Sequence, residues 1–378
     1  MASYKQIGEN KYKITVELGY NDSGKRIRKT KTVMAKSERA LKKAITELEM
    51  EARNTNDIYL DKTTIEYYYK NQFLPLYVDK LKVNTQNSYH QHEKTFLDFF
   101  KDMQLKKIKP LHVQKYFDNE EKNGRKCTDV KFKRLKSIFQ RAVEWELIDS
   151  NPARKVKVKH VKTNRSVKFY DKKQVKILLE ELEKEQNIKF KTIVKLALYC
   201  GLRIGEILAL SYDSFDFGNK TIKIDKNLQY SDVEKKHVLS TTKTEYERYV
   251  PIPEPFISDL KLYLLESKKN RLYMDNYIQP IFKDNKEVKL IFLSKSGLPL
   301  HKSCFGRDWK NFIKKTNLPY INVHGLRHTF ATLLIQKGTN IKKVQEILGH
   351  SKISMTLDMY THVTAEDKRK AVDVFSNL

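Results

Sequence analysis

The stretch that decides the fold lies near the end of the chain and reads HGLRHT over residues 324–329. His324 and Arg327 are three residues apart, so on a helix they occupy neighbouring positions of one face. His324 and His328 have the four-residue spacing of paired zinc ligands, but no glutamate base lies between them, and an arginine beside a bound cation is unfavourable. The motif therefore favours a phosphate over a metal ion as its ligand.

A second motif, GLRIGE at residues 201–206, follows a stretch of helical periodicity that is rich in apolar residues. Gly201 is typical of a helix end, which holds Arg203 on a short turn before the next helix. Taken alone, Arg203 is explained more simply by a structural ion pair with Glu206 than by a catalytic role. The ion pair and the anion clamp both stay open for this arginine.

A third motif is TKT at residues 242–244, shortly before a strand-like stretch at 249–252. Its lysine, Lys243, carries the kind of group that can protonate a leaving oxygen. Other lysines lie nearby in the sequence, namely Lys226, Lys235 and Lys236.

The fourth motif, LGH at residues 348–350, leads to Tyr360. By itself His350 is read as a helix-capping histidine, and Tyr360 as a buried aromatic residue with a satisfied hydroxyl. The four motifs together have a coherence that none has alone, because transfer at a phosphodiester needs a nucleophile, donors to the non-bridging oxygens and an acid for the leaving oxygen. The candidate catalytic residues are Arg203, Lys243, His324, Arg327, His350 and Tyr360.

No metal ion or other cofactor is expected in this site. Arginine is a suitable replacement for a metal, since its planar fork binds phosphate bidentately and stays charged. The sequence shows no acidic cluster suited to two magnesium ions.

The charge of the chain indicates the same class of ligand. Its 378 residues include 74 Lys and Arg against 46 Asp and Glu, a net charge of +28. A lysine-rich proteome explains part of this excess, but a polyanion, with nucleic acid first, is the expected large partner. The hydrophobic fraction of 40% is enough for several packed cores.

The cysteines and the N-terminus bear on location. Cys127, Cys200 and Cys304 are widely spaced and form no CxxC pair, so reduced and mostly buried thiols are expected. Neither a signal peptide nor a membrane-spanning apolar run is visible, which predicts a cytoplasmic protein without membrane contact.

The first sixty or so residues have the pattern of a small sheet followed by a helix. From Lys11 to Val33 apolar and polar residues alternate around a turn at 21–24, and Ser37 begins a helix with an apolar side. The return strand is basic, which fits an ordinary solvated face as well as DNA binding. Its candidate DNA-binding residues are Lys25, Arg26, Arg28 and Lys29.

Between Thr63 and Asp149 the periodicity predicts four or five helices. The many aromatic residues fall at helical spacings, which is typical of a core rather than of a platform for stacked bases. The candidates for phosphate contacts are Lys131, Lys133, Arg134, Lys136 and Arg141.

Asn151-Pro152 ends the last of these helices, and the basic stretch that follows has no clear apolar period. It is either a solvated connector or a cationic strap that lets two basic domains close around a duplex, with Lys155 and Lys157 as candidate contacts. Beyond Asp171 we expect helices over 172–185 and 189–199, strands over 221–224 and 249–252, and helices again from His301.

In the order Arg, Lys, His-x-x-Arg, His, Tyr, the last two hundred or so residues resemble the tyrosine recombinase, or phage integrase, family. The resemblance implies that Tyr360 attacks the scissile phosphate, forms a 3′-phosphotyrosine and releases a 5′-hydroxyl that later attacks a partner strand. It also implies that Arg203 and Arg327 stabilise the pentavalent phosphate and that Lys243 protonates the leaving oxygen. His324 and His350 would bind the phosphate or manage the tyrosine proton, and neither ATP nor a cofactor is needed.

The resemblance implies a multidomain α+β protein. Residues 1–60 are similar to an arm-type DNA-binding domain, a three-stranded sheet plus a helix, and residues 61–152 to an all-α, SAM-like core-binding domain. Residues 153–170 are expected to form a basic linker, and residues 171–378 a mainly α catalytic domain with a small antiparallel sheet, the DNA breaking-rejoining fold, and a C-terminal tail.

The implied partners are double-stranded DNA at core and arm sites, further copies of the chain in a tetramer on DNA, an excisionase and a host DNA-bending protein. The arm-like domain favours the integrase of a mobile element, such as a conjugative transposon or a prophage, over a chromosome-dimer recombinase. Two alternatives stay open: a type IB topoisomerase, and an inert or regulatory sequence-specific DNA-binding protein.

Overall fold

The computed structural model describes residues 2–20, 26–61, 63–124, 129–157, 168–241, 247–274 and 277–349, without the side chains of 18–20, 26–27 and 52–61. Two compact units divide the chain, Met1–Lys162 and Thr163–Leu378.

The first unit opens with an antiparallel sheet in the order β1 (Ala2–Gly8), β2 (Lys11–Tyr20) and β3 (Arg26–Met34). Helix α1 (Glu38–Asp61) covers one face of it. Side chains alternate along β2, so Ile14 and Val16 lie in the core beneath α1. The alternate side chains, such as those of Lys13 and Thr15, lie on the open face. The Ser37 hydroxyl accepts the Ala40 amide at 3.2 Å, so the helix begins at the predicted cap.

A helical bundle makes up the rest of this unit. Its first helix is continuous through α2 (Ile65–Tyr67), a π-helical segment (Tyr68–Phe73) and α3 (Leu74–Leu76). The others are α4 (Val83–Phe100), α5 (Pro110–Lys122) and α6 (Asp129–Glu144). Short 3-10 turns lie between them at Val78–Lys80 and Leu105–Lys107.

The bundle core is aromatic, which confirms the interpretation from helical spacing. Its buried rings include Tyr68, Tyr69, Phe73, Phe96, Phe100, Tyr116 and Phe139. Buried aromatic rings bring much apolar area per residue, and the Tyr68 hydroxyl donates to the Ile138 carbonyl at 2.8 Å, so its polar end is satisfied. Ala153 and Val156 also pack into this core, so the connection predicted at 153–170 starts against the bundle.

The second unit begins with α7 (Lys172–Lys184), α8 (Ile188–Tyr199) and α9 (Ile204–Leu208). A sheet follows in the order β4 (Phe215–Asp216), β5 (Thr221–Ile224) and β8 (Arg248–Pro251). A separate hairpin pairs β6 (Lys226–Ser231) with β7 (Lys236–Thr241).

The remaining elements of this unit are α10 (Glu254–Tyr273), the small hairpin of β9 (Phe282–Lys283) and β10 (Lys286–Glu287), α11 (Lys302–Lys314), α12 (Val323–Gln336) and α13 (Ile341–Leu348). The helices and strands predicted here agree with the structure to about one residue at their ends, so the fold class is confirmed.

The core of the second unit surrounds α8, whose residues are buried on nearly every side. Gly201 ends this helix with φ +62°, and a Cβ on it would lie 2.4 Å from Phe330 Cδ1. Only glycine fits both the conformation and the space, which fixes where the following arginine stands.

None of the described helices is long and apolar enough to cross a membrane. Cys200 and Cys304 are free thiols, and burial raises the pKa of Cys200 to about 12. Cys127 lies outside the described residues.

Candidate active site

Arg203 stands directly before α9 and is held by Glu206. Its backbone amide donates to Glu206 Oε2 at 3.0 Å, and its Nη1 donates to Oε1 at 2.8 Å. The predicted ion pair is therefore present. Glu206 is only 2% exposed, whereas the Arg203 side chain keeps 20% of its surface. The pair holds the guanidinium in place and leaves part of it accessible to a ligand.

Arg327, on α12, is 1% exposed. Its Nη1 donates to the Gly201 carbonyl at 2.7 Å and its Nη2 to the Leu348 carbonyl at 2.6 Å. Its Nε is buried and has no hydrogen-bond partner in the described part of the chain. Burial, followed by the positive charge of Arg203, lowers the pKa of Arg327 to about 9, so this guanidinium stays charged at neutral pH. Among the residues that the structure describes, one donor of this charged group is therefore unused.

His324 lies in the first turn of α12, where Asn322 caps the helix by accepting the Gly325 amide at 2.9 Å. The His324 and His328 rings meet edge to face with centroids 4.6 Å apart. Burial by neighbouring atoms, then the charges of His328 and the two arginines, lower the pKa of His324. The ring nevertheless keeps an exposed side, so water screens part of these effects.

A helix N-terminus favours an anion and disfavours an imidazolium, so a neutral His324 is suited to donate a hydrogen bond to a phosphate. The described residues contain no group of three or more His, Cys, Asp or Glu side chains that could hold a metal ion.

Three arginines meet at the C-terminal end of α13, and one of them was not predicted from the sequence. Gly349 ends α13 in the left-handed conformation with φ 64°. Besides Arg327, Arg203 lies 3.4 Å from the Leu348 carbonyl and 3.3 Å from that of Gly349. The third is Arg248 at the start of β8, whose Nε donates to the Ile347 carbonyl at 2.8 Å. The orphan carbonyls of this helix end are therefore bound by guanidinium groups.

Glu206 is the shared counter-ion of this cluster. Arg248 donates Nη1 to Oε1 at 3.1 Å and Nη2 to Oε2 at 2.6 Å, and Arg327 Nη1 lies 4.0 Å from Oε2. Burial alone raises the pKa of Glu206, but the hydrogen bonds and charge of Arg248, then the charges of Arg203 and Arg327, outweigh it and hold the pKa at about 2. Glu206 is thus ionised at neutral pH, as an ion pair with Arg203 requires.

Lys243, His350 and Tyr360 lie outside the described residues. Strand β7 ends at Thr241 and β8 begins at Arg248, so Lys243 belongs to the connection between these strands. Two of the competing lysines are engaged elsewhere, since Lys226 binds Asp225 at 2.6 Å and Lys236 binds Glu234 at 2.6 Å.

The basic residues predicted to meet DNA on α6 differ in their placement. Lys131 is 7% exposed and ion-paired with the buried Glu120, so contrary to expectation its ammonium is not presented to a phosphate. Arg134 is half-buried, with Nε on the Ser88 hydroxyl at 3.1 Å and its guanidinium 4.7 Å from the Tyr89 ring centroid. The exposed candidates are Lys133, Lys136, Lys155 and Lys157.

On the N-terminal sheet, Arg28 lies 3.3 Å from Glu17 and is half exposed. Lys29 lies 3.5 Å from Glu51 of α1, so its charge is partly neutralised by an ion pair between the sheet and this helix. Lys25 and the Arg26 side chain lie outside the described residues.

The cluster of arginines suits a phosphate, and the comparisons with known proteins identify the class as enzymes that recombine DNA. Residues 168–367 match the phage integrase family, and residues 64–120 match the N-terminal SAM-like domain of phage integrases. The chain belongs to the phage integrase family and is a tyrosine recombinase.

The similarity to known proteins extends along the whole chain. A tyrosine recombinase XerC-like protein of Caldanaerobacter subterraneus is 26% identical, over 100% of this chain and 98% of its own. The ICEBs1 integrase of Bacillus subtilis is 26% identical over 100% of both. The transposase from transposon Tn916 of Enterococcus faecalis is 29% identical, over 86% of this chain and 80% of its own.

Solved structures have the same fold. The Tn1549 transposon integrase in complex with transposon right end DNA superposes with a TM-score of 0.67 and 21% identity, covering 83% of this chain and 100% of that one. A lambda integrase dimer bound to a core site gives a TM-score of 0.51 and 16% identity, covering 79% and 95%.

Proposed function

We propose that this recombinase integrates and excises a mobile genetic element by cutting and rejoining DNA through a covalent bond between Tyr360 and a backbone phosphate. The observation that carries the proposal is the charged, buried Arg327, whose Nε lacks a partner among the described residues, beside the partly exposed Arg203. Two fixed guanidinium groups near a helix N-terminus suit a phosphate that gains negative charge during reaction.

In the proposed reaction the Tyr360 oxygen attacks phosphorus and the bond to the 5′ oxygen breaks. The tyrosine proton passes to a base, and Lys243 gives a proton to the departing 5′ oxygen. The 5′-hydroxyl of a partner strand then attacks the phosphotyrosine and restores a phosphodiester. Each step exchanges one phosphoester bond for another, so no external energy source is needed.

The arginines and histidines have distinct proposed roles. Arg203 and Arg327 donate to the non-bridging oxygens, and their pre-formed contacts to Glu206 and to backbone carbonyls keep them oriented before substrate arrives. A neutral His324 donates to the phosphate, and His350 shares the phosphate or the tyrosine proton.

Binding of double-stranded DNA is proposed for both units. Structures of the Tn1549 integrase and of lambda integrase hold DNA, and this chain carries a net charge of +28. On the open face of the N-terminal sheet, Lys5 lies opposite Lys13 and Lys13 opposite Thr32, and Lys5 and Lys13 suit an arm site. Four exposed lysines are the candidates for the core site, namely Lys133, Lys136, Lys155 and Lys157.

The mobile-element assignment draws support from relatives named as an ICEBs1 integrase and a Tn916 transposase. On that basis we propose a tetramer on two DNA sites, an excisionase and a host DNA-bending protein as partners, and the cytoplasm as the place of action.

A nicked duplex with the core site from the ends of the element tests the proposal. Cleavage near the nick releases a short strand that carries the 5′-hydroxyl, and once this strand is lost the adduct cannot revert. Wild-type chain and the matched control Tyr320→Phe, an exposed tyrosine, should form a denaturation-resistant complex. Tyr360→Phe should bind the duplex and form none. An adduct with Tyr360→Phe contradicts the assignment of the nucleophile.

The same assay separates the alternatives. Strand exchange between two duplexes is expected and excludes a simple type IB topoisomerase. Binding without any adduct in the wild type would leave an inert DNA-binding protein.

A further inference from the structure

We propose that Arg248 is a positioning residue for strand transfer, which holds Glu206 and the end of α13 so that Arg203 and Arg327 remain available to the phosphate. The proposal rests on the function proposed above. It concerns a residue outside the six candidate catalytic positions.

The geometry of Arg248 uses the whole guanidinium plane. Both terminal nitrogens bind the two oxygens of Glu206, at 3.1 and 2.6 Å, and Nε binds the Ile347 carbonyl at 2.8 Å. The side chain is 10% exposed. Three donors in one plane match a carboxylate on one edge and a carbonyl on the other, an arrangement that a lysine ammonium does not reproduce.

The backbone of α13 lies directly against this side chain. A Cβ on Gly349 would lie 3.1 Å from Arg248 Cδ and Nη1, closer than ordinary contact, and the φ of +64° at Gly349 also favours glycine. His350 is the next residue along the chain. The place where the chain leaves α13 is therefore set by Arg248 through packing as well as through a hydrogen bond.

Arg248 also determines how strongly Glu206 draws hydrogen bonds from Arg203 and Arg327. Among the groups that lower the pKa of this buried carboxyl, against the burial that raises it, Arg248 comes before Arg203 and Arg327. Without Arg248, a buried carboxylate would have to draw its hydrogen bonds from Arg203, already at 2.8 Å, and from Arg327, now at 4.0 Å. Those two side chains are the donors that the phosphate needs, and Arg248 limits how far Glu206 draws on them by binding both carboxylate oxygens itself.

Arg248→Lys tests this, because it keeps the charge and removes the planar fork. Its matched control is Arg271→Lys, since Arg271 also reaches a backbone carbonyl, that of Leu290, and a glutamate, Glu287, each at 3.4 Å. Under single-turnover conditions on the nicked duplex we expect Arg248→Lys to form adduct about 10–100-fold more slowly, with DNA affinity within about twofold of wild type. Arg271→Lys should react at the wild-type rate. Equal rates for Arg248→Lys and wild type would overturn the proposal.

A second substrate separates this role from an effect on Lys243, which lies in the connection that precedes β8. In a duplex whose scissile 5′ oxygen is replaced by sulfur, the leaving thiolate departs without a proton from an acid. Lys243→Ala should recover on it, while Arg248→Lys should stay slow. Full recovery of Arg248→Lys would contradict the proposal and assign its effect to the lysine.

A double-variant comparison tests whether Arg248 acts through Glu206. Because the two residues act through one contact, Glu206→Gln combined with Arg248→Lys should react no more slowly than the slower single variant. Losses that multiply would overturn the proposal. Absence of any adduct in the wild type is a different result, since it counts against the proposed function instead.

Discussion

Arg327 Nη2 lies 2.6 Å from the carbonyl oxygen of Leu348, so α12 is joined directly to the end of α13. The same guanidinium reaches the Gly201 carbonyl at 2.7 Å. One side chain therefore connects the HGLRHT motif to the segment that carries Arg203 and to the segment that precedes His350.

Arg327→Lys should damage both stability and reaction. A lysine lacks the planar fork that reaches the two carbonyls from separate nitrogens, so the loss or weakening of one buried hydrogen bond should cost about 1–3 kcal/mol. Adduct formation should fall by about 100-fold or more, because a donor to the phosphate is lost. Urea unfolding and single-turnover trapping measure the two effects, with the exposed Arg307→Lys as control. A variant as stable and active as wild type would contradict the assignment.

Lys131→Met should destabilise the helical bundle by about 3–5 kcal/mol, because Glu120 is then left charged and buried. Adding Glu120→Leu should restore most of the loss, since the pair is replaced by apolar side chains. Chemical denaturation measures both. If Lys131→Met left stability unchanged and weakened DNA binding instead, the earlier expectation of a phosphate contact would be right.

Lys13→Ala should weaken binding to arm-site DNA and lower the slope of log affinity against log salt by about 1. Lys13 is exposed on the open face of the sheet, opposite Lys5 and Thr32. The matched control is Lys31→Ala, because Lys31 pairs with Glu51 of α1 at 3.2 Å. Titrations at several salt concentrations give the slopes. Equal slopes for Lys13→Ala and wild type would show that Lys13 on the open face does not contact the DNA phosphates.

Acidification should destabilise the second unit through His324. The pKa of this imidazole is lowered to about 4 in the folded chain, by burial first and then by neighbouring positive charge. In the unfolded chain a histidine has a pKa of about 6.5. Between these values the unfolded chain binds more protons, so stability falls as the pH drops through this window.

His324→Asn should flatten this dependence of Tm on pH without removing it, because burial also lowers the pKa of His328. The effect is small, since the His324 ring has an exposed side. An unchanged pH profile in His324→Asn would contradict the lowered pKa.

Much of the fold was predictable, because the determinants are local. Alternation through Ile14 and Val16, the cap at Ser37 and the glycine that ends α8 each act within a few residues. The pair of Arg203 with Glu206 was predictable for the same reason, since the two are one helical turn apart. These features need no knowledge of how distant segments pack.

What was missed depends on distant segments or on one helical face. Arg248 acts on a carbonyl 99 residues away, and nothing near it in sequence indicates that partner. Lys131 was misjudged by its charge, although its spacing carried a signal: on α6 it precedes Leu135 by four residues and Ile138 by seven, and both are buried. Its position on the apolar face outweighed its residue type, since Glu120 neutralises it there.

Four of the acceptors in the arginine cluster are main-chain atoms, the carbonyls of Gly201, Ile347, Leu348 and Gly349. Alanine scanning replaces side chains and leaves these oxygens in place, so a conventional mutational map would credit the arginines and record nothing at the other end of each bond. Chemical ligation with ester linkages in place of single amides weakens a chosen carbonyl as an acceptor, and would make this hidden half of the network measurable.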